Sequence, residues 1–188
     1  MKRISTDAEY LDSGKIVVDA DGIPVDLGYR GTGSPEGKVA APVGSVYTDT
    51  AATTGAIRWI KTSGTGNTGW RVEYGDTGWR NVSSELSNIL ESGKVFFRRR
   101  GDTVDIVTEW AKLIPAGSSQ MPPGFRPFRN DAVPFYASAN LATPVAQFRI
   151  GFTGTITINV FNDRYSASDQ GTVITSDPWP TSLPGTPM

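Results

Sequence analysis

The sequence predicts an all-β chain, and three observations carry that prediction. Glycine and proline are dense, 21 and 13 of 188 residues, and interrupt any helical pattern before it runs far. Several short runs alternate apolar and polar residues at a period of two, the mark of half-buried strands. Two-residue turn signals, Asp21-Gly22, Gly75-Asp76 and Gly101-Asp102, sit between such runs.

Residues 1–33 form an N-terminal segment in which Lys15–Ala20 and Ile23–Leu27 flank Asp21-Gly22, a small β element. The stretch that follows, GTGSPEGKVAAPVGS over 31–45, has the composition of a linker. Residues 34–82 make a hairpin-rich module with short strands at 46–48, 56–61, 70–74 and 77–82. A two-residue turn at Gly75-Asp76 sets Val72 opposite Trp79 and Trp70 opposite Asn81. Alternation then gathers Trp70, Val72, Tyr74 and Trp79 on one face, with Arg71, Glu73 and Arg80 on the other. A lone ribbon is marginal in water. Its aromatic face needs a surface, and copies of the same ribbon from other chains supply one, which predicts an intertwined trimeric neck with those four residues at the interface.

Residues 83–93, SSELSNILESG, predict one short connecting helix, with a serine cap, Leu86, Ile89 and Leu90 on one face, and Gly93 as the stop. Residues 94–188 form a second β region, the head. Around Gly101-Asp102, Arg98 faces Asp105, Phe97 faces Ile106 and Arg99 faces Val104. Strands resume at 145–150, 155–161 and 171–175, after a proline-rich loop over 115–134. The proline-rich end, SDPWPTSLPGTPM, wraps the surface.

Composition narrows the chemistry. Hydrophobic residues are 38%, so a single chain buries a modest core and oligomerisation adds to it. Net charge is −1, so no single-sign field draws in nucleic acid or an anionic membrane. Histidine and cysteine are absent, which excludes serine–histidine chemistry, thiolate zinc sites and disulfides. No cofactor or metal is implied. The N-terminus lacks the apolar core of a signal peptide.

Arg100-Gly101-Asp102 spells an integrin-binding tripeptide, but turn chemistry alone accounts for Gly-Asp. The run Arg98-Arg99-Arg100 divides between two strand faces and makes no phosphate-binding patch. Glu73 with Asp76, Asp102 with Asp105, and Asp105 with Glu109 are the carboxylate pairs that glycoside hydrolysis would need. Each sits on or beside a turn, where such residues are expected, so the chain reads as no enzyme. Aromatic residues beside polar ones are a means of holding sugars. Trp110, Phe135, Tyr136, Tyr165 and Trp179 are the aromatic candidates, and core packing is the competing role for each. Tyr165 and Trp179 lie in loop-like surroundings, with Asn162, Asp163, Arg164 and Asp177 as hydrogen-bonding neighbours.

Over residues 34–188 a run of short motifs resembles proteins of tailed-bacteriophage tails: minor tail proteins, tail fibres and receptor-binding proteins. SPEGKVAAPVGSVYTDTAATTGAIRWIKTSGTGNTGWRV is similar to a module that opens on APxGSxYxDT and closes on SGTGNTGW. FRRRGDTVDIV, MPPGFRP and the terminal WPTSLPGTP look like parts of the head module of such proteins. The resemblance implies a homotrimer with an N-terminal part that attaches to other tail or baseplate proteins, a β-rich neck, and a β-barrel or jelly-roll-like head. It further implies adhesion to a host cell-surface saccharide. The expected location is the virion, after assembly in the host cytoplasm and release by lysis. A purely architectural tail protein is the competing reading, and a glycan-cleaving tail enzyme is third.

Overall fold

A computed structural model describes residues 17–18, 24–25, 28–137, 140–160 and 167–188. They form an all-β structure in three sheets, none closed into a barrel, with no helix.

The smallest sheet pairs β1 (Val17–Val18) with β2 (Pro24–Val25). Its register, Val18 with Pro24, is one residue off that of a two-residue Asp21-Gly22 turn, which would set Val18 against Val25. The second sheet holds β3 (Tyr29–Gly31), β4 (Val46–Asp49), β5 (Ala56–Lys61) and β6 (Trp70–Gly75) in that order. β3 runs parallel to β4 and the other pairs are antiparallel. The stretch between β3 and β4, linker-like in composition, is packed: Gly37 N donates to Asn67 O at 2.8 Å, and Ala41 is buried. Its glycines and prolines supply turns that fold it over β6.

The third sheet contains β7 (Arg80–Asn81), β8 (Leu90–Arg100), β9 (Thr103–Leu113), β10 (Ser118–Gln120), β11 (Asp131–Ala137), β12 (Asn140–Ile150), β13 (Thr155–Val160), β14 (Ala167–Ile174) and β15 (Thr186–Pro187). Their order across the sheet is β10-β13-β12-β11-β14-β9-β8-β7-β15, all antiparallel. Phe97 on β8, Ile106 on β9, Phe148 on β12 and Ile158 on β13 share one core, so the sheet curls over it. The curl stays open. Edge strand β10 approaches residues 85–89 instead of a strand: Ser119 Oγ donates to Glu85 O, and Ile158 N reaches Gly117 O beside them.

The β8–β9 hairpin has the register read from the sequence, Arg98 with Asp105, Phe97 with Ile106 and Arg99 with Val104. Gly101 alone of its two turn residues has a positive φ, +54°, as in a type II′ turn.

Three expectations are corrected. No hairpin forms at Gly75-Asp76. β6 pairs with β5, and the chain then crosses to the large sheet, where Arg80 pairs with Phe97. Long-range bonds outweigh the local turn signal there: Arg98 grips the Asp76 carboxylate through Nε (2.9 Å) and Nη2, and Arg99 N donates to Thr77 Oγ1 at 2.8 Å. Residues 83–89 make successive turns, and β8 begins at Leu90, before the expected helix ends. Leu86 and Ile89 are buried together, as their spacing suggested, but pairing of Leu90 with Leu113 claims the rest. The head is an open, curled sheet and closes into no barrel.

Candidate functional site

The four-stranded sheet β3-β4-β5-β6, hereafter the small sheet, buries Tyr47, Ala56, Trp59 and Trp70 on its inner face. Trp179, from the C-terminal segment, completes that cluster. Its indole is 8% exposed, and its Nε1 donates to Thr54 O at 3.1 Å. With both faces covered, the ring packs as core and offers no platform to a sugar.

Beneath Trp179 lies Arg99, its guanidinium carbon 5.0 Å from the ring centroid. Alternation sends Arg99 inward with Val95 and Phe97, and the side chain is buried. Its donors reach backbone carbonyls only: Gly101 O at 2.9 Å, Pro178 O at 2.9 Å, Asp177 O at 2.9 Å, and Gly124 O. Burial lowers the guanidinium pKa, with the more distant Asp102 and Asp177 acting the other way. The Asp177 carboxylate accepts from Gly124 N at 2.8 Å and Arg126 N at 3.3 Å. Arg99 therefore ties the β8–β9 hairpin, the loop around Gly124 and the C-terminal segment together, and Trp179 carries that tie into the small sheet. The segment then runs on to β15, where Arg80 donates to Pro184 O and Gly185 O, each at 2.8 Å.

The four residues expected on one ribbon face are separated. Trp70 is covered by its own chain: its Nε1 donates to Val39 O at 2.8 Å, Tyr47 meets its edge at 6.0 Å, and the Lys61 ammonium lies 5.7 Å from the ring centroid. Val72 packs half-buried against the same cluster. Tyr74 is exposed on the opposite face, in register with Arg58, because bulges at Ile57 and Glu73 flip the alternation. Trp79 is half-buried beyond β6, with Arg98 stacked 5.7 Å from its centroid.

Of the expected saccharide contacts, Asn162, Asp163, Arg164 and Tyr165 lie outside the described residues. The strand ends that flank them belong to the end of the large sheet opposite Asp177 and Trp179. Ala167 pairs with Ala111, whereas Ile174 pairs with Thr103. Those two pairs are about 23 Å apart along β14.

The candidate carboxylates each hold a cation. Glu73 takes Arg58 (2.7 Å), Asp102 takes Arg71 (3.5 Å), Asp105 takes Arg100 (2.7 Å), Glu109 takes Lys94 (3.4 Å), and Asp76 takes Arg98. Arg98 is the main reason the Asp76 pKa falls below its ordinary value, helped by Gly78 N. In Arg100-Gly101-Asp102 both charged side chains are thus engaged, and the turn is pinned by Thr175 N donating to Asp102 O at 2.8 Å. Among the described residues no group of acidic side chains is placed to hold a metal ion, and no helix is long and apolar enough to cross a membrane.

Strand alternation turns Arg99 away from Arg98 and Arg100. Its neighbours Phe97 and Val104 were the available signal, because an arginine on an apolar face must find buried acceptors. Comparison of the chain with protein-family models, with curated proteins and with solved structures returned no match to any of them.

Proposed function

We propose that this chain is a structural protein of a bacteriophage tail tip that mediates adhesion to a host cell-surface saccharide, acting as a homotrimer. One observation carries the reading. The stretches that resemble phage tail proteins, scattered over 34–188, meet at one place: Arg99 of FRRRGDTVDIV bonds Gly124 of MPPGFRP. Trp179 of WPTSLPGTP packs in the cluster that holds Tyr47 of PVGSVYTDT and Trp70, the tryptophan that ends SGTGNTGW. Motifs that together build one junction are what a shared two-sheet architecture would retain. The likeness therefore speaks for architecture first, and the ligand follows from the kind of protein that carries it.

The test uses the full chain. Light scattering is expected to give a molar mass of about 61 kDa, three times 20.2 kDa. A printed array of bacterial wall and capsular oligosaccharides is expected to retain it. A blank array with an intact trimer would replace adhesion by a purely architectural role among tail or baseplate proteins. Release of reducing ends from an array glycan would replace it by a glycan-cleaving one. Because Trp70 finds its cover within one chain, trimerisation must draw on other surfaces. A mass of 20.2 kDa across the micromolar range would end the trimeric reading.

A further inference from the structure

The loop between β10 and β11 and the turn between β12 and β13 meet at one rim of the large sheet. Met121 N donates to Gly154 O at 2.8 Å, and Phe152 N donates to Asn130 Oδ1 at 3.1 Å. Three arginines stand at this join. Arg126 lays its stem over Gly154, where a Cβ would lie 2.7 Å from the arginine Cγ. Arg129 directly precedes Asn130, its guanidinium carbon 5.4 Å from the centre of the Phe128 ring. Arg149, two residues before Gly151, lies on the face of β12 opposite the buried Phe148 and Ile150. None of the three side chains has a hydrogen-bond acceptor or a carboxylate among the described residues, and Arg126 Nε is enclosed without one. Elsewhere arginines are engaged. Arg58, Arg71, Arg98 and Arg100 hold carboxylates, and Arg80 and Arg99 hold carbonyls. Arg30, in the small sheet, is the other described exception. Two carboxylates lie near the rim, and neither takes a cation from it. Asp131 accepts from its neighbour Ala132 N at 2.8 Å, and Asp177 accepts from Gly124 N and Arg126 N while acting on Arg99.

An enclosed guanidinium nitrogen without an acceptor costs free energy, and packing on Gly154 holds the Arg126 side chain where no ion pair does. Three uncompensated guanidinium groups on one rim, in a chain of net charge −1, call for anions from outside. A planar guanidinium takes a carboxylate or a phosphate through paired N–H donors. The three share no partner and stand on two elements, so they suit a chain of repeated anions better than one ion. Beside them are groups that fit a sugar. The Thr153 and Thr155 hydroxyls are 3.3 Å apart, Gln120 Nε2 donates to the latter at 2.9 Å, and the Phe152 ring is 64% exposed.

We propose that this rim binds an anionic saccharide chain, whose phosphate or carboxylate groups pair with Arg126, Arg129 and Arg149. The anions follow from the arginines; that a saccharide carries them rests on the adhesion reading above. The array of bacterial wall and capsular oligosaccharides divides into phosphate-bearing, uronate-bearing and neutral members. The full chain is expected to favour one of the two acidic classes, which names the anion. Affinity for the acidic member retained most strongly is expected to fall about tenfold in each of Arg126→Met, Arg129→Ala and Arg149→Ala, through loss of a charge-assisted bond, and to hold in Arg30→Ala. Arg126→Met keeps a stem on Gly154 and removes the enclosed nitrogen, so its melting temperature is expected to equal or exceed that of the unaltered chain while binding weakens. Unchanged affinity in the three rim variants, or retention on neutral members alone, would overturn the site and leave adhesion standing. Equal retention on poly-L-glutamate, lost in the same variants, would replace the saccharide by an acidic protein. An array on which the unaltered chain is retained nowhere would overturn adhesion, and the site with it.

Discussion

Replacing Trp179 by alanine removes the one large side chain that the C-terminal segment inserts into the core of the small sheet. Truncating a buried tryptophan to alanine costs about 3–5 kcal/mol through lost transfer free energy and the cavity left behind. Thr54 O loses the indole donor, which adds about 1 kcal/mol. Arg99 loses the ring but keeps its carbonyl partners, so the cation–π share is about 1 kcal/mol. Because these terms share one cavity they do not add fully, and the expected loss is about 5 kcal/mol. That is a large part of the roughly 5–15 kcal/mol that holds a domain folded. For a chain of this size it lowers the melting temperature by roughly 10–20 °C. Urea unfolding followed by far-ultraviolet circular dichroism and by tryptophan fluorescence tests it. Trp59 and Trp70 report on the small sheet, so the two probes should separate in Trp179→Ala, with fluorescence moving first. A single coincident transition within 1 kcal/mol of the unaltered chain would refute the claim that this residue couples the sheets.

Other consequences follow from single side chains. Burial acts to raise the pKa of Asp49, but the backbone N–H groups of Ala52, Gly33 and Ala51 outweigh it, so the folded value lies below the ordinary 3.8. A carboxyl lowered by folding contributes stability that is present above its unfolded pKa and lost as pH falls through the folded one. Asp49→Asn is therefore expected to be less stable at pH 7 by about 1–2 kcal/mol and to lose less than the unaltered chain between pH 5 and pH 2, measured by urea midpoints. Lys61 is buried with its ammonium donating to Gly66 O and Thr68 O. Lys61→Met leaves those carbonyls without it, at a cost of about 2 kcal/mol, and limited proteolysis should find the 62–69 loop newly open. Gly93→Ala forces a Cβ against Trp110 O at a φ of +87° and is expected to cost at least about 2 kcal/mol in thermal unfolding.

Much of the strand pattern was legible because burial in a sheet leaves a period of two in the sequence. The Val95–Thr108 hairpin, down to its facing pairs, follows from alternation around Gly101-Asp102. The Gly75-Asp76 turn carries the same kind of local signal and does not form, since Asp76 and Thr77 find stronger partners in Arg98 and Arg99, 22 residues away. Trp179 reads as a loop residue because prolines surround it, yet its ring lies beside Thr54, 125 residues distant, and nothing local encodes that contact. Trp110 is the converse. Its place in an alternating run suggests core packing, and only the count of residues on both neighbouring strands shows that it is turned out.

By itself the sequence determined the all-β class, most strand positions, the absence of histidine and cysteine chemistry, and that Arg99 faces away from Arg98 and Arg100. Periodicity and composition are properties of the chain, and they suffice for these. The tertiary structure alone decided which tryptophan is sheltered and which displayed, where the chain crosses between sheets, and that the head stays an open curl. Those outcomes depend on partners far apart in sequence, whose hydrogen bonds and packing compete with local preference and here prevail over it.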